Sequence, residues 1–327
     1  MASPSLALAL AIKDEARRLG FEAVGISRAS SAEPFSQTLL SRLVSWLSRG
    51  YHATMAWMAR DPGRRADPTS VLAGCRSVIS VGMNYYSGHR PDEGPGRGRI
   101  ARYAWGLDYH DLLGTKLKQL EGHIKQVAPG AVTRSYVDTG PVMEKAWAER
   151  AGLGWIGKHS NLVSTEFGSW LLLGEILTTL ELEPDEPGTD LCGSCTLCIR
   201  ACPTGAITEP YVVDAGRCIS YLTIELREAG SIPEDLASKI GNRIFGCDDC
   251  LDACPYNMNA SPTDEPAFQP SPLTLAPDLR SLARLTEAEF ASTFRQSPIR
   301  RPKHSGFMRN VSLALSRDQA RRMPMMP

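Results

Sequence analysis

Cys192, Cys195, Cys198 and Cys202, followed by Pro203, form a C-x2-C-x2-C-x3-C-P run that constrains this chain more than any other stretch. Bacterial iron–sulfur proteins use this spacing, and where two clusters are held the fourth cysteine serves the other cluster. A second run, Cys247, Cys250, Cys254 and Pro255, repeats the C-x3-C-P ending but is one cysteine short. Cys218 lies between the runs and supplies the missing thiol. The eight cysteines match two [4Fe-4S] clusters. The crossing rule assigns Cys192, Cys195, Cys198 and Cys254 to the first, and Cys202, Cys218, Cys247 and Cys250 to the second. Zinc needs self-contained sets of four and leaves the paired C-P endings unexplained. The C-x3-C-x2-C run of S-adenosylmethionine radical enzymes is absent from the sequence. Cys75 is left over beside an apolar strand and reads as a small buried hydrophobe.

Thiols used as metal ligands require a reducing compartment, so a cytoplasmic protein is expected. The apolar stretch from Leu6 to Ile12 runs straight into Lys13, Asp14 and Glu15 without a cleavage pattern, and no run reaches membrane-span length. Formal net charge is zero, which excludes a global field for nucleic acid or membrane, but from Ser271 onward ten Lys/Arg face four Asp/Glu.

Around the cysteines, hydrophobic spacing predicts helices at 6–19, 36–49 and 108–127 and strands at 21–26, 77–81, 131–137 and 170–178. Pro141 suits the first turn of a helix running to Gly152. This is a mixed α/β (α+β) fold in three parts: residues 1–183, a cysteine-bearing part at 184–262, and a basic helical part at 263–327. Residues 181–188 read as a linker between the first two.

Asp138 sits where a predicted strand ends before that helix, a frequent position for a site residue. A simple helix cap is the commoner use of Asp there. Asp108, Tyr109 and His110 read as a helix start with Asp108 as cap. With one residue too many before Gly114 they do not match a D-x-H-x-x-G cobalt-binding run, so no protein nitrogen is expected on cobalt.

The stretch 135–162, SYVDTGPVMEKAWAERAGLGWIGKHSNL, resembles the epoxyqueuosine reductase family, as do AWGLDYH at 104–110, CISY at 218–221, GNRIFGCD at 241–248 and GFMRN at 306–310. The matches follow one another in the expected order across most of the chain. The resemblance implies a nitroreductase-like cobalamin domain joined to a ferredoxin-like domain. It implies removal of the epoxide oxygen of epoxyqueuosine at the wobble position of a tRNA anticodon, giving queuosine. Electrons from an external donor enter through the two clusters and reach cobalamin, in a monomer with no membrane partner.

Carried onto this chain, the resemblance makes Asp138 the proton donor. It places Arg65, Asp138, Lys158, Asn161, Leu162, Leu173, Ser220, Cys247 and Asp248 around the cofactor. Lys145, Arg300, Arg301 and Lys303 are expected on tRNA, with Arg295 and Arg309 in the same basic tail. The chain departs from some family members by carrying Ala101 where they carry cysteine, and by lacking a C-terminal helical-repeat extension. Two other readings use similar parts: a cobalamin-dependent reductive dehalogenase, and a non-catalytic ferredoxin-like carrier that leaves the first 183 residues without a task.

Overall fold

The computed structural model describes residues 3–29, 34–226 and 232–322. In chain order the first part comprises α1 (Pro4–Arg18), β1 (Ala23–Arg28), α2 (Pro34–Ser48), α3 (Pro62–Ala66), β2 (Ser77–Asn84), β3 (Arg99–Ile100), α4 (Tyr109–Val127), β4 (Thr133–Tyr136), α5 (Glu144–Arg150), β5 (Trp155–Ile156), β6 (Leu162–Val163) and β7 (Leu171–Thr178). There follow α6 (Leu197–Ala201), β8 (Ile207–Glu209), β9 (Val212–Val213), α7 (Glu234–Ile240), β10 (Arg243–Phe245) and α8 (Asp249–Asp252). The chain closes with α9 (Pro272–Leu275), α10 (Leu279–Leu282), α11 (Glu287–Thr293) and α12 (Lys303–Arg322).

The central sheet has the order β1-β2-β7-β4 with every pair antiparallel. Strand alternation sends Ile79, Val81, Met83, Leu172 and Ile176 to one face, against α1 and the α4 stripe Leu113, Leu117, Leu120 and Ile124. Each such side chain taken from water contributes about 1.5–3 kcal/mol. The opposite residues, Val78, Leu171, Leu173 and Leu177, pack under α5 with Trp147, Ala148 and Ala151. α5 approaches β1 so closely that a Cβ on Gly25 would stand 1.9 Å from the Ala151 carbonyl oxygen.

Three sequence expectations change here. The sheet is antiparallel, so the strand-end rule for parallel sheets does not explain the position of Asp138. Pro141 lies in the loop before α5, whose N-cap is Met143 without a side-chain bond. Asp138 is therefore not a cap. Finally, 181–188 is no loose linker. Asp185 accepts hydrogen bonds from Lys13 Nζ and the Ile26 N–H, and a Cβ on Gly188 would meet the Gly154 carbonyl at 1.7 Å.

Apolar packing crosses both expected domain boundaries. Leu251, Ala260 and Phe268 join the sheet core, while Ile100 and Trp105 share a second core with Phe245, Phe290, Phe294 and Phe307. β10 pairs in parallel with β3, which fastens the cysteine-bearing part to the first part. Among the described residues no helix is long and apolar enough to cross a membrane.

Candidate active site and cluster ligands

The cysteines stand in two spatial groups. The charges acting on Cys198 include Cys254, Cys192 and Cys195, and those acting on Cys254 include Cys192 and Cys195. Those acting on Cys250 include Cys247, Cys218 and Cys202. The fold thus brings Cys254 to the first run, 52 positions on from Cys202, because α6 packs directly on α8. One recess is lined by Cys192, Cys195, Cys198 and Cys254 together with Leu191 and Tyr256. Among the described residues no three His, Cys, Asp or Glu side chains close on a point as ligands of a single ion do.

Burial is the first cause raising the thiols of Cys198, Cys218, Cys250 and Cys254, and it pushes Cys247 up to about 12. Bound iron would supply the positive charge that such buried thiolates need. Lys158 is buried and donates to the Gly193 and Cys195 carbonyls. It braces the first-run loop, so its ammonium is committed there rather than to a corrin.

Asp248 is also buried, and accepts from the Arg102 N–H at 2.8 Å and from its guanidinium at 3.3 Å. The same guanidinium binds Asp252 and lies over Trp105 and Trp170. Asp248 therefore clamps the second run to β3, and its carboxylate is not free for a cofactor. Ser220 is half-buried next to Cys218 and opens a widened helical turn, 221–225, closed by the Leu226 N–H to the Tyr221 carbonyl. Such turns are frequent at functional sites.

Asp138 adopts φ +55°, a left-handed conformation unusual for a non-glycine residue. Its N–H donates to Glu144 Oε1, and its Oδ2 accepts from the Tyr109 hydroxyl at 3.0 Å. His110 Nε2 lies 3.6 Å from the same oxygen, while His110 Nδ1 is 2.7 Å from Asp108 Oδ1. The Asp138 side chain is 63% exposed, with charged groups of α4, α5 and the C-terminal region around it.

The neighbouring His110 imidazole is the first cause holding the Asp138 carboxyl below its ordinary value, with Tyr109 and Lys145 adding to it against burial. For His110, burial depresses the imidazole, but Asp108 and Asp138 outweigh it and raise it to about 9. Burial and then the Asp138 charge raise Glu144 to about 8. At neutral pH this group holds an ionised aspartate between a protonated histidine and a protonated glutamate.

Lys145 occupies the space between this group and the second cysteine set. Its Nζ donates to the Ser160 carbonyl at 2.7 Å and lies 3.3 Å from Asn161 Oδ1. The charges acting on it include Asp138, Glu144, Cys250 and Cys218. Lys145 is exposed, and it stands within electrostatic reach of both Asp138 and the second set of thiols. Arg65 stacks over Trp57 at 5.1 Å, within electrostatic reach of Glu144. Leu162 is buried and Leu173 half-buried in the apolar layer under α5, so strand core is the main task of both.

Of the basic tail, Arg295, Arg300 and Lys303 are exposed. Arg301, also exposed, is paired with Glu225, and half-buried Arg309 donates to the Leu222 and Leu226 carbonyls. Tyr109, His110 and Glu144 are absent from the site expected from sequence. The Asp108 cap was the available signal, because a helix start fixed there turns its first residues toward β4.

Eight grouped thiols with an acid–base group near the second set define a two-cluster iron–sulfur oxidoreductase. Residues 191–257 match the 4Fe-4S double cluster binding domain, and residues 65–139 match "Epoxyqueuosine reductase QueG, DUF1730". The chain is 47% identical over 293 residues to the epoxyqueuosine reductase of Synechocystis sp., covering 89% of this chain and all of the relative. It is 46% identical to that of Salmonella typhimurium over 314 residues, 94% of this chain and 79% of the relative. A solved epoxyqueuosine reductase bound to an epoxyqueuosine-modified tRNA-Tyr stem loop superposes with TM-score 0.88 at 33% identity, over 96% of this chain and 82% of the other. A Bacillus subtilis epoxyqueuosine reductase, described with a catalytic aspartate loop swung out of the active site, gives TM-score 0.87 at 32% identity, over 96% of this chain and 82% of the other. The chain belongs to the epoxyqueuosine reductase family.

Proposed function

We propose that this protein reduces epoxyqueuosine to queuosine at the wobble position of tRNA. The observation that carries the reading is Lys145, within electrostatic reach of the acid–base group at Asp138 and of Cys218 and Cys250 in the second set. The solved relative bound to its modified stem loop supports tRNA as the substrate partner. Cys192, Cys195, Cys198 and Cys254 hold one [4Fe-4S] cluster, and Cys202, Cys218, Cys247 and Cys250 hold the other. Electrons would come from an external donor, and the protein works as a cytoplasmic monomer built in the three parts 1–183, 184–262 and 263–327.

The site takes a cobalamin, with Arg65, Lys145, Asn161 and Ser220 at its border. The residues fit that group, since they offer both charged donors and amide acceptors to its polar arms. Both nitrogens of His110 face carboxylates, consistent with cobalt bound without that imidazole. When bound, cobalamin would supply a strongly reducing centre. The residues of the chain supply the rest. Converting an epoxide to an alkene and water consumes two electrons and two protons, so a positioned acid is required. Asp138, on a loop like the catalytic aspartate loop of the Bacillus relative, delivers a proton to the departing oxygen. Arg300 and Lys303 neutralise phosphates of the anticodon stem loop, whose unpaired bases can be splayed into the site.

The test is mass spectrometry of tRNA nucleosides after anaerobic incubation of cluster- and cobalamin-loaded protein with reductant and epoxyqueuosine-containing tRNA. Queuosine is the expected product. Its absence from a fully loaded sample removes the proposal.

A further inference from the structure

Asp138 is expected to give a proton, yet its surroundings hold it ionised. The proton must therefore reach it from a neighbour. Around Asp138 stand Tyr109 and His110 from α4, Glu144 and Lys145 from α5, and Arg301, whose guanidinium is paired with Glu225. His110 differs from the rest in standing between two carboxylates. Its Nδ1 is 2.7 Å from Asp108 Oδ1, and its Nε2 is 3.6 Å from Asp138 Oδ2. The ring is held in that line by stacking on Tyr109 at 4.1 Å. Asp108 itself is fixed as the α4 cap through the His110 N–H, with Arg300 nearby.

We propose that His110 carries the proton that Asp138 passes to the substrate oxygen, and that Asp108 is the positioning residue that fixes the tautomer of His110. The inference rests on the reading of the reaction given above. In the transfer, the Nε2–H bond of His110 breaks as a bond forms between that hydrogen and Asp138 Oδ2. Asp138 then releases it to the oxygen freed when the epoxide carbon–oxygen bond breaks. The two electrons are those the reductase already delivers. Asp138 ends ionised, His110 ends neutral with its Nδ1–H still on Asp108, and water restores the lost proton. The gap of 3.6 Å is longer than a hydrogen bond, as is common before substrate closes a site.

Two readouts test this on the cluster-loaded protein. The first is single-turnover conversion of an epoxyqueuosine stem loop across pH by the wild type, His110→Ala, His110→Gln and Asp108→Asn. His110→Ala should lose about 10²-fold or more in rate and regain activity with added imidazole, while keeping stem-loop affinity and iron content. Asp108→Asn should shift the falling alkaline limb of the rate profile down by about one pH unit. A His110→Gln protein as fast as wild type, or His110→Ala that imidazole does not rescue, overturns the proposal.

The second readout needs no turnover: diethyl pyrocarbonate labelling of His110 against pH, followed by peptide mass spectrometry. Labelling should rise only near pH 9 and earlier in Asp108→Asn. A midpoint at the ordinary histidine value overturns the proposal even if the wild type makes no queuosine. Failure of wild-type turnover alone counts against the reaction, not against this proton path.

Discussion

His110 Nε2 lies 3.6 Å from Asp138 Oδ2, joining the first turn of α4 to the loop after β4. That contact links two segments 28 positions apart and turns a helix start into part of the acid–base site.

Removing the Asp138 carboxyl should stop proton delivery while sparing the cofactor sites. For Asp138→Asn we expect single-turnover conversion to fall by about 10²–10⁴-fold, with iron content and corrinoid binding unchanged. Wild-type rates in that variant would take Asp138 out of the mechanism.

The crossed thiol groups make a prediction that sequence proximity does not. Cys254→Ser, although in the second run, should damage the cluster held by Cys192, Cys195 and Cys198. Cys202→Ser should damage the other. Each variant is expected to retain about four of eight irons. Electron paramagnetic resonance after reduction should show opposite clusters surviving, and the same survivor in both variants would contradict the grouping.

Lys145 tests where the site ends. Its ammonium is bonded to Ser160 and Asn161. Lys145→Ala should weaken corrinoid binding about tenfold, as loss of a charged hydrogen bond does, with little effect on stem-loop affinity. A loss confined to RNA binding would make Lys145 a tRNA contact instead.

Stability should fall as pH rises through the neutral range. His110 is raised to about 9, so its contribution is complete below its unfolded value near 6.5 and disappears as pH climbs through 9. Glu144 is raised to about 8 by burial, so keeping it folded becomes costlier from its unfolded value of 4.5 up to 8. The fall in Tm of holoprotein between pH 6.5 and 9 should shrink in His110→Gln, and that between pH 4.5 and 8 should shrink in Glu144→Gln. Unchanged slopes would refute the respective assignment.

Asp248 should matter for folding before it matters for catalysis. Asp248→Ala leaves the buried Arg102 guanidinium with only Asp252, a loss of about 3 kcal/mol in denaturant unfolding. A variant of full stability that loses only cofactor binding would reinstate Asp248 as a cofactor residue.

Much was legible in the sequence because it is local. C-x2-C and C-x3-C-P spacings place thiols within one or two turns of each other, and the period of Leu113, Leu117, Leu120 and Ile124 gives α4 and its buried face. The Asp108 cap follows from the same local rule. What sequence could not show is which termini meet. Lys158 and Asn161 are three positions apart, yet one ammonium braces the first-run loop while the other side chain meets Lys145. Asp138 looked like a cap because strand, aspartate and proline follow in order, but α5 starts only at Glu144, and the left-handed backbone at Asp138 leaves its carboxylate to Tyr109 and His110.

The C-x2-C-x2-C-x3-C-P run determined by itself that this chain is built to hold clusters, since thiolate chemistry and short-range spacing suffice for that. The tertiary structure alone decided what they serve. Antiparallel packing of β4 beside α4 sets a histidine between two carboxylates, and Lys145 spans from that group toward Cys218 and Cys250. Those relationships depend on contacts between distant segments, whose geometry no local pattern encodes.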